Sequence, residues 1–237
     1  MRVLALLPAH NEQPSLSRLV GDLRRCQPGL DLLVVDDASE DGTSELLPTL
    51  PVRWLRLSVQ LGIGGAVRAG LRYALWAGYD AVVRLDADGQ HPAELAQKMI
   101  EALSAHEVDA VRGSRYKEAT PYRTPLMRRA AQRLLALGLS LLTGRKVTDP
   151  TSGLWAFGPR ALRLLAEHHP TGYPEPELIL LLARSGLRVC EVSVQMRERA
   201  SGQSTLTLPR AGAALARAVL AMMVVPLRAS VKESDDD

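Results

Sequence analysis

The chain has 237 residues, of which 46% are hydrophobic and 23% are charged. This balance excludes a wholly disordered chain and suits one α/β domain with a C-terminal appendage. Aromatic residues make up only 4%, which argues against modules that stack nucleic-acid bases on aromatic rings, so we expect no nucleic-acid partner.

The formal net charge is only +3, but the basic residues are unevenly distributed. The segment from residue 112 to residue 146 contains a single acidic residue, Glu118. Its basic residues are Arg112, Arg115, Lys117, Arg123, Arg128, Arg129, Arg133, Arg145 and Lys146. A cationic field of this kind favours an anionic ligand or a membrane surface. For any single one of these residues, a solvated helix face is an equally good interpretation.

The cysteines and the N-terminus indicate a cytoplasmic protein. Cys26 and Cys190 lack a nearby cysteine partner, which favours a reduced compartment. The first residues resemble a strand and lack the pattern of a signal peptide.

Strands and helices alternate along the first half of the chain. Strands are predicted at 3–7, 30–35, 52–57, 81–85 and 110–113, and helices at 15–23, 66–77 and 92–104, with a short helix after residue 43. This alternation predicts a doubly wound, mostly parallel sheet flanked by helices. Ligands of such sheets bind at the carboxyl ends of the strands.

The second half is organised differently. It contains a predicted helix at 126–142, a loop at 149–153, an apolar segment at 154–157, a helix at 178–185, a strand at 187–196 and a polar loop at 199–205. We place the main domain at 1–207, a C-terminal amphipathic helix at 208–230 and an acidic, disordered tail at 231–237. Arg217 and Pro226 interrupt that helix, so its apolar part is too short to span a bilayer. It could lie on a membrane, pack on the sheet or form a dimer interface, and a membrane protein partner is a further alternative.

The loop after the fourth predicted strand carries the strongest chemical signal. Asp86 and Asp88 are separated by one residue, and Gln90 adds a neutral oxygen. Two adjacent carboxylates repel each other unless a cation compensates them, so an ordinary polar turn explains them poorly. Hard oxygen ligands in this spacing can hold a divalent cation that also binds a diphosphate. His91 could contact a ligand or be structural.

Polar residues also follow the first two predicted strands. Asp36 or Asp37 is placed to accept a hydrogen bond from a nucleobase or ribose, and Glu12 could do the same. Asn11 could instead be a helix N-cap. The stretch 62–65 contains glycines but follows the third strand and lacks the full dinucleotide fingerprint, which disfavours a dehydrogenase.

These motifs in this order resemble the family 2 glycosyltransferases with the GT-A fold, and within them the dolichyl- or polyprenyl-phosphate sugar synthases of bacterial type. The matching stretches lie at 8–12, 34–39, 86–92, 113–116, 149–153 and 199–204. Two positions depart from the pattern: His10 stands where an aromatic Tyr is common, and Thr205 stands where Lys is common. The second departure removes a cation from the phosphate end of the site.

The resemblance implies roles for individual residues. A Mg²⁺ or Mn²⁺ ion would be held by Asp86, Asp88 and Gln90. The nucleotide-sugar donor would be contacted by Pro8, His10, Glu12, Val35, Asp37, Asp86 and Ala87. Phosphate charge would be neutralised by Arg115, Arg129 and Arg199, which together with Asp88 would be the catalytic residues.

The implied reaction is an inverting transfer of a hexose from a donor of the GDP-mannose or UDP-glucose type to a polyprenyl or dolichyl phosphate. The alternative is a cell-wall or capsule polysaccharide transferase with a hydroxyl acceptor, which needs a general base such as Asp149, Glu175 or Glu177. Asp149 could equally be a turn residue before Pro150. A nucleotidyltransferase and a non-catalytic nucleotide-sugar sensor are weaker rivals. We expect a peripheral protein at the inner face of the cell membrane, bound to the lipid surface or a small membrane protein, with a homodimer as a further expectation.

Overall fold

The computed structural model describes residues 1–118, 126–172 and 174–197. Arg199, the predicted helix at 208–230 and the tail at 231–237 lie outside these residues. The strands are β1 (Val3–Ala9), β2 (Asp31–Asp36), β3 (Arg53–Arg56), β4 (Ala81–Arg84), β5 (Ala110–Ser114), β6 (Trp155–Phe157) and β7 (Val189–Ser193). The helices are α1 (Gln13–Cys26), α2 (Thr43–Leu46), α3 (Gly62–Trp76), α4 (Glu94–Ala105), α5 (Leu126–Thr143), α6 (Pro159–His168) and α7 (Pro174–Arg184), and a 3-10 turn spans Leu47–Thr49.

The described strands form one sheet in the order β3-β2-β1-β4-β6-β5-β7. All neighbouring pairs are parallel except those of β6, which runs antiparallel to both β4 and β5. The carboxyl ends of β1, β2, β4 and β5 therefore meet at one edge of the sheet, where a doubly wound fold binds its ligands.

Each face of the sheet buries its own apolar core. Along β1, Leu4 and Leu6 belong to one cluster and Ala5 and Leu7 to the other, because successive side chains of a strand point to opposite faces. Helices α3, α5, α6 and α7 cover the first face, and α1 and α4 cover the second. The mostly parallel sheet predicted from the sequence is confirmed.

Three features differ from the sequence prediction. Segment 154–157, predicted only as apolar, contains the antiparallel strand β6. Helix α6 was not predicted, although Pro159 at its first turn is a common start signal. Arg84 and Arg112 are buried inside β4 and β5, with 1% and 2% of their surface exposed, and neither burial was predicted. Within the part of the chain that the structure describes, no helix combines the length and apolarity needed to cross a membrane.

Candidate active site

The loops after β1 and β2 are tied together at the carboxyl edge of the sheet. His10 Nδ1 lies 2.8 Å from the carbonyl oxygen of Asp37, and the Asp37 N–H donates to the carbonyl of Ala9 at 2.8 Å. Pro8 and Val35 face each other in the β1–β2 register and are buried. Pro8 and Val35 therefore lie near the ends of β1 and β2, beside the loop residues His10 and Asp37.

Asp36 and Asp37 have different surroundings. Asp36 is fully buried and accepts hydrogen bonds from the Ser39 N–H at 2.9 Å and the Ser44 hydroxyl at 2.5 Å. Burial raises the pKa of Asp36, but these hydrogen bonds outweigh it and the net direction is downward. Asp37 Oδ1 accepts from the Leu61 N–H at 2.7 Å. Asp36 therefore holds its own loop, and Asp37 is the better ligand candidate of the two.

Asn11 and Glu12 also connect the two loops. Asn11 has a left-handed backbone with φ of 57°, and its Oδ1 accepts from the Glu40 N–H at 2.9 Å. The N-cap of α1 is Glu12 rather than Asn11, so the capping interpretation of Asn11 was wrong. Glu12 Oε2 accepts from the Ser15 hydroxyl at 2.8 Å, and the Glu12 N–H donates to Thr43.

The predicted metal loop, residues 86–90, follows β4 directly. Asp88 Oδ1 accepts the Gln90 N–H at 3.0 Å, and Gly89 between them has a φ of 76° that favours glycine. The Asp86 N–H donates to His91 Nδ1 at 2.9 Å, so His91 is neutral with its proton on Nε2. Burial lowers the pKa of His91, which agrees with a neutral ring. His91 thus supports Asp86 through its backbone, and the structural interpretation is the better one.

The side chain of Asp86 lies directly against Gly153. A Cβ atom at Gly153 would lie 2.3 Å from Asp86 Oδ2, far inside normal contact distance. Gly153 therefore allows the loop at 149–153 to approach the carboxylate closely. Among residues 1–118, 126–172 and 174–197, no group of three or more His, Cys, Asp or Glu side chains is arranged to hold a metal. Two hard carboxylates still fit Mg²⁺ or Mn²⁺, since such ions in phosphate-handling sites take further ligands from substrate phosphates and water.

The other end of the same loop holds Arg115. Asp149 is fully buried and accepts from Arg115 Nε at 2.7 Å, from Nη2 at 2.8 Å and from the Arg115 backbone N–H at 3.1 Å. Burial raises the pKa of Asp149, but these contacts with Arg115 outweigh it and the net direction is downward. A carboxylate so enclosed is a poor general base, so the structure favours Asp149 as the partner that orients Arg115.

Arg129 joins this cationic group through Tyr116. The Arg129 guanidinium carbon lies 3.3 Å from the centre of the Tyr116 ring, and that of Arg115 lies 5.4 Å from it. The Tyr116 hydroxyl donates to Gln132 Oε1 at 3.1 Å. The structure thus brings Arg115 and Arg129 together at the carboxyl end of β5. Arg199 lies outside the described residues, but the chain two positions before it is attached to the metal loop, because the Arg197 N–H donates to the Gln90 carbonyl at 2.9 Å.

Sequence reasoning missed Arg84. Its Nη2 contacts Asp86 Oδ1 at 3.1 Å and Glu175 Oε1 at 3.2 Å, so a buried guanidinium links the predicted metal ligand to α7. Burial raises the pKa of Glu175, and the charge of Arg84 opposes that rise. The signal available in the sequence was an arginine within the apolar run of β4.

Comparisons with known proteins find relatives of this chain. The model of "Glycosyl transferase family 2" matches residues 5–164. An undecaprenyl-phosphate mannosyltransferase of Micrococcus luteus is 35% identical over 87% of this chain and 88% of its own length. The polyprenol monophosphomannose synthase of Mycolicibacterium smegmatis is 31% identical over 87% of this chain and 81% of its own.

Solved structures show the same fold at lower identity. The mannosyl-3-phosphoglycerate synthase of Rubrobacter xylanophilus superposes with a TM-score of 0.72 at 20% identity, covering 100% of this chain and 79% of its own. The glucosyl-3-phosphoglycerate synthase of Mycobacterium tuberculosis, crystallised with Mn²⁺, UDP and glucosyl-3-phosphoglycerate, gives 0.70 at 21% identity, covering 94% and 78%. The predicted GT-A fold is confirmed.

Proposed function

Because the chain belongs to glycosyl transferase family 2, we propose that it transfers a hexose from a nucleotide-diphosphate sugar to a polyprenyl phosphate. The observation that carries this proposal is the loop at 149–153. Its Asp149 end binds Arg115, and its Gly153 end packs against Asp86. One loop thereby joins a carboxylate pair suited to a metal and diphosphate with a cationic group suited to phosphate. Relatives that act on undecaprenyl phosphate and polyprenol phosphate support the acceptor class.

On this proposal the donor lies along the carboxyl edge of the sheet. His10, Glu12 and Asp37 would contact the nucleoside, next to Pro8 and Val35 near the ends of β1 and β2. Asp86 and Asp88, with Gln90, would hold Mg²⁺ or Mn²⁺ on the diphosphate, next to Ala87. The bound cation would offset the negative charge of the leaving nucleoside diphosphate.

The reaction would be a single displacement. An oxygen of the lipid phosphate attacks the anomeric carbon from the face opposite the diphosphate, the new carbon–oxygen bond forms, and the bond to the diphosphate breaks. Arg115 and Arg129 would neutralise phosphate charge during this step. A phosphate monoester is already ionised at neutral pH, so the step needs no general base. Asp149 is bound by Arg115, which agrees with a site in which Asp149 does not act as a general base.

A panel of GDP-, UDP- and dTDP-sugars in a thermal-shift assay tests the donor half. We expect one nucleotide class to raise the melting temperature, and Mn²⁺ to enlarge the shift, because a ligand that binds only the folded state stabilises it. The Asp88→Asn variant is the control and should lose the metal-dependent part. No shift with any donor, with or without Mn²⁺, would contradict the proposal.

We further propose that α5 places the protein on the inner face of the cell membrane. The outward side of α5 is apolar: Leu134, Leu137 and Leu141 are 68%, 58% and 76% exposed. The basic residues Arg128 and Arg133 are exposed on the same helix, which contains no acidic residue. A helix with exposed leucines and flanking cations suits an anionic lipid surface. The segment 208–230, which the sequence predicts as a helix after a domain that ends at 207, lies outside the described residues and on this proposal would add to this contact.

Flotation with anionic liposomes tests the membrane proposal. The intact chain should float, and Arg128→Glu with Arg133→Glu should weaken floating, since each reversal removes about 1 kcal/mol of attraction or more. Arg18→Glu is the matched control, because Arg18 is exposed on α1 at the opposite face of the sheet. An intact chain that stays unbound but elutes as a dimer would instead assign the leucine face to a second copy. Capture by a small membrane protein would assign it to that partner.

A further inference from the structure

Arg84 is a cation in the middle of the sheet. In register it faces Leu6 of β1 on one side and Trp155 of β6 on the other, and only 1% of its surface is exposed. A guanidinium in such a place is strongly destabilising unless carboxylates compensate its charge. Its partners should therefore be essential to the arrangement around it.

Two carboxylates share one nitrogen of Arg84. Nη2 contacts Asp86 at 3.1 Å and Glu175 at 3.2 Å. Among the described residues, Nε and Nη1 have no hydrogen-bond partner, so these contacts provide the compensation. Glu175 lies in the first turn of α7, where the helix dipole also favours an acid. Arg84 is thus held between the metal loop and α7.

This sharing has a consequence for Asp86. If Asp86 were the only partner of Arg84, the positive charge of Arg84 would cancel the negative charge of Asp86. A divalent cation bound by Asp86 and Asp88 would then meet a net charge of about one carboxylate instead of two. Glu175 supplies the missing negative charge. Divalent cations bind more tightly as the number of ligand charges rises.

We propose that Glu175 is a positioning residue that acts through Arg84, and that by sharing this guanidinium it preserves the affinity of Asp86 and Asp88 for the divalent cation. The inference rests on the proposed function, since it assumes that this carboxylate pair binds the metal. It assigns Glu175 a role other than that of a general base. His91 and Gly153 hold Asp86 independently of Arg84, so Asp86 can keep its place when Arg84 is changed.

The charges predict an order of Mn²⁺ affinities. Glu175→Gln leaves Arg84 to Asp86 alone and should weaken Mn²⁺ binding roughly 10-fold to 100-fold, the range found for residues behind metal ligands. Arg84→Met removes the competing cation, so that variant should bind Mn²⁺ at least as tightly as the wild type. The double variant Arg84→Met with Glu175→Gln should recover most of the affinity lost in Glu175→Gln.

A purely structural ion pair predicts a different order. Both single variants would then weaken Mn²⁺ binding in proportion to their loss of stability, and the double variant would show no specific recovery. Glu191→Gln is the matched control. Glu191 pairs with Arg112, another buried arginine on the same sheet face, which flanks Trp155 on the side opposite Arg84. It should reduce stability without a change in Mn²⁺ affinity.

The experiment is a Mn²⁺ titration followed by electron paramagnetic resonance at pH 8, with UDP or GDP present, and a thermal melt of each variant. Weak binding by Glu175→Gln with recovery in the double variant supports the inference. If Glu175→Gln does not fold, Arg84→Met still decides: weaker binding than wild type overturns the inference, and equal or tighter binding supports it. Equal affinity of wild type and Glu175→Gln overturns the inference alone, whereas a wild type that does not bind Mn²⁺ also overturns the proposed function.

Discussion

The substitution Gly153→Ala tests the contact between the 149–153 loop and Asp86. The added Cβ would lie 2.3 Å from Asp86 Oδ2 and 3.0 Å from both Cγ and Oδ1. Normal contact requires a displacement of about 1 Å. The carboxylate or the loop must therefore move by about that amount. A misplacement of about 1 Å can reduce catalysis roughly 100-fold, so we expect kcat/KM for transfer to fall 10-fold to 100-fold and Mn²⁺ binding to weaken in parallel.

A backbone effect can be separated from this steric one. The φ of Gly153 is not in the left-handed region, so alanine is compatible with its backbone. At compatible positions Gly→Ala stabilises by about 0.4–1 kcal/mol. Gly21→Ala in α1, where no heavy atom lies within 4 Å of the added Cβ, is the control and should melt higher with unchanged kcat/KM. A Gly153→Ala enzyme with wild-type kcat/KM and Mn²⁺ affinity would show that the close contact with Asp86 does not position that carboxylate.

Three further predictions follow from buried contacts. Asp149→Asn leaves the buried Arg115 guanidinium without its carboxylate, which should cost about 3–5 kcal/mol in urea denaturation; a midpoint equal to wild type would contradict this. Burial and the charge of Arg84 lower the pKa of His169 to about 3, whereas in the unfolded chain it is about 6.5. The contribution of His169 to the free energy of unfolding should therefore be constant above pH 6.5 and fall by about 1.4 kcal/mol per pH unit below it, or about 2 kcal/mol from pH 7 to pH 5. The His169→Gln variant should lack this part of the pH dependence, and an unchanged pH dependence of its unfolding would contradict the prediction. Gly64→Ala would bring a Cβ to 2.4 Å from the Pro170 carbonyl oxygen and should destabilise by about 1–3 kcal/mol in a thermal melt, an idea that fails if the variant melts like wild type.

The parallel part of the fold could be predicted because local patterns specify it. The interiors of β1 and β2 are short apolar runs, β4 is apolar up to Arg84, and α1 shows buried leucines at helical spacing in Leu16, Leu19 and Leu23. The direction of β6 could not be predicted in this way. It is a strand of three residues whose orientation is set by its pairing with β4 and β5, and nothing within the strand encodes that pairing.

The candidate site shows the same division. The carboxylates at Asp86 and Asp88 are placed by the strand before them, so their position at the sheet edge followed from the sequence. The partners of Asp149 and Arg84 could not be predicted, since each contact joins distant segments: Arg115 lies 34 positions from Asp149, and Glu175 lies 91 positions from Arg84. Asp36 and Asp37 are neighbours in sequence, and only the hydrogen bonds of the fold separate their roles.

The proposed transfer is tested most directly by an assay with undecaprenyl phosphate and labelled GDP-mannose or UDP-glucose, with the lipid product identified by mass spectrometry. We expect a hexosyl phosphate lipid that forms with Mn²⁺ or Mg²⁺, disappears with EDTA and is not made by Asp88→Asn. Transfer to a sugar hydroxyl with no reaction at the lipid phosphate, or transfer that persists without a divalent cation, would contradict the proposal.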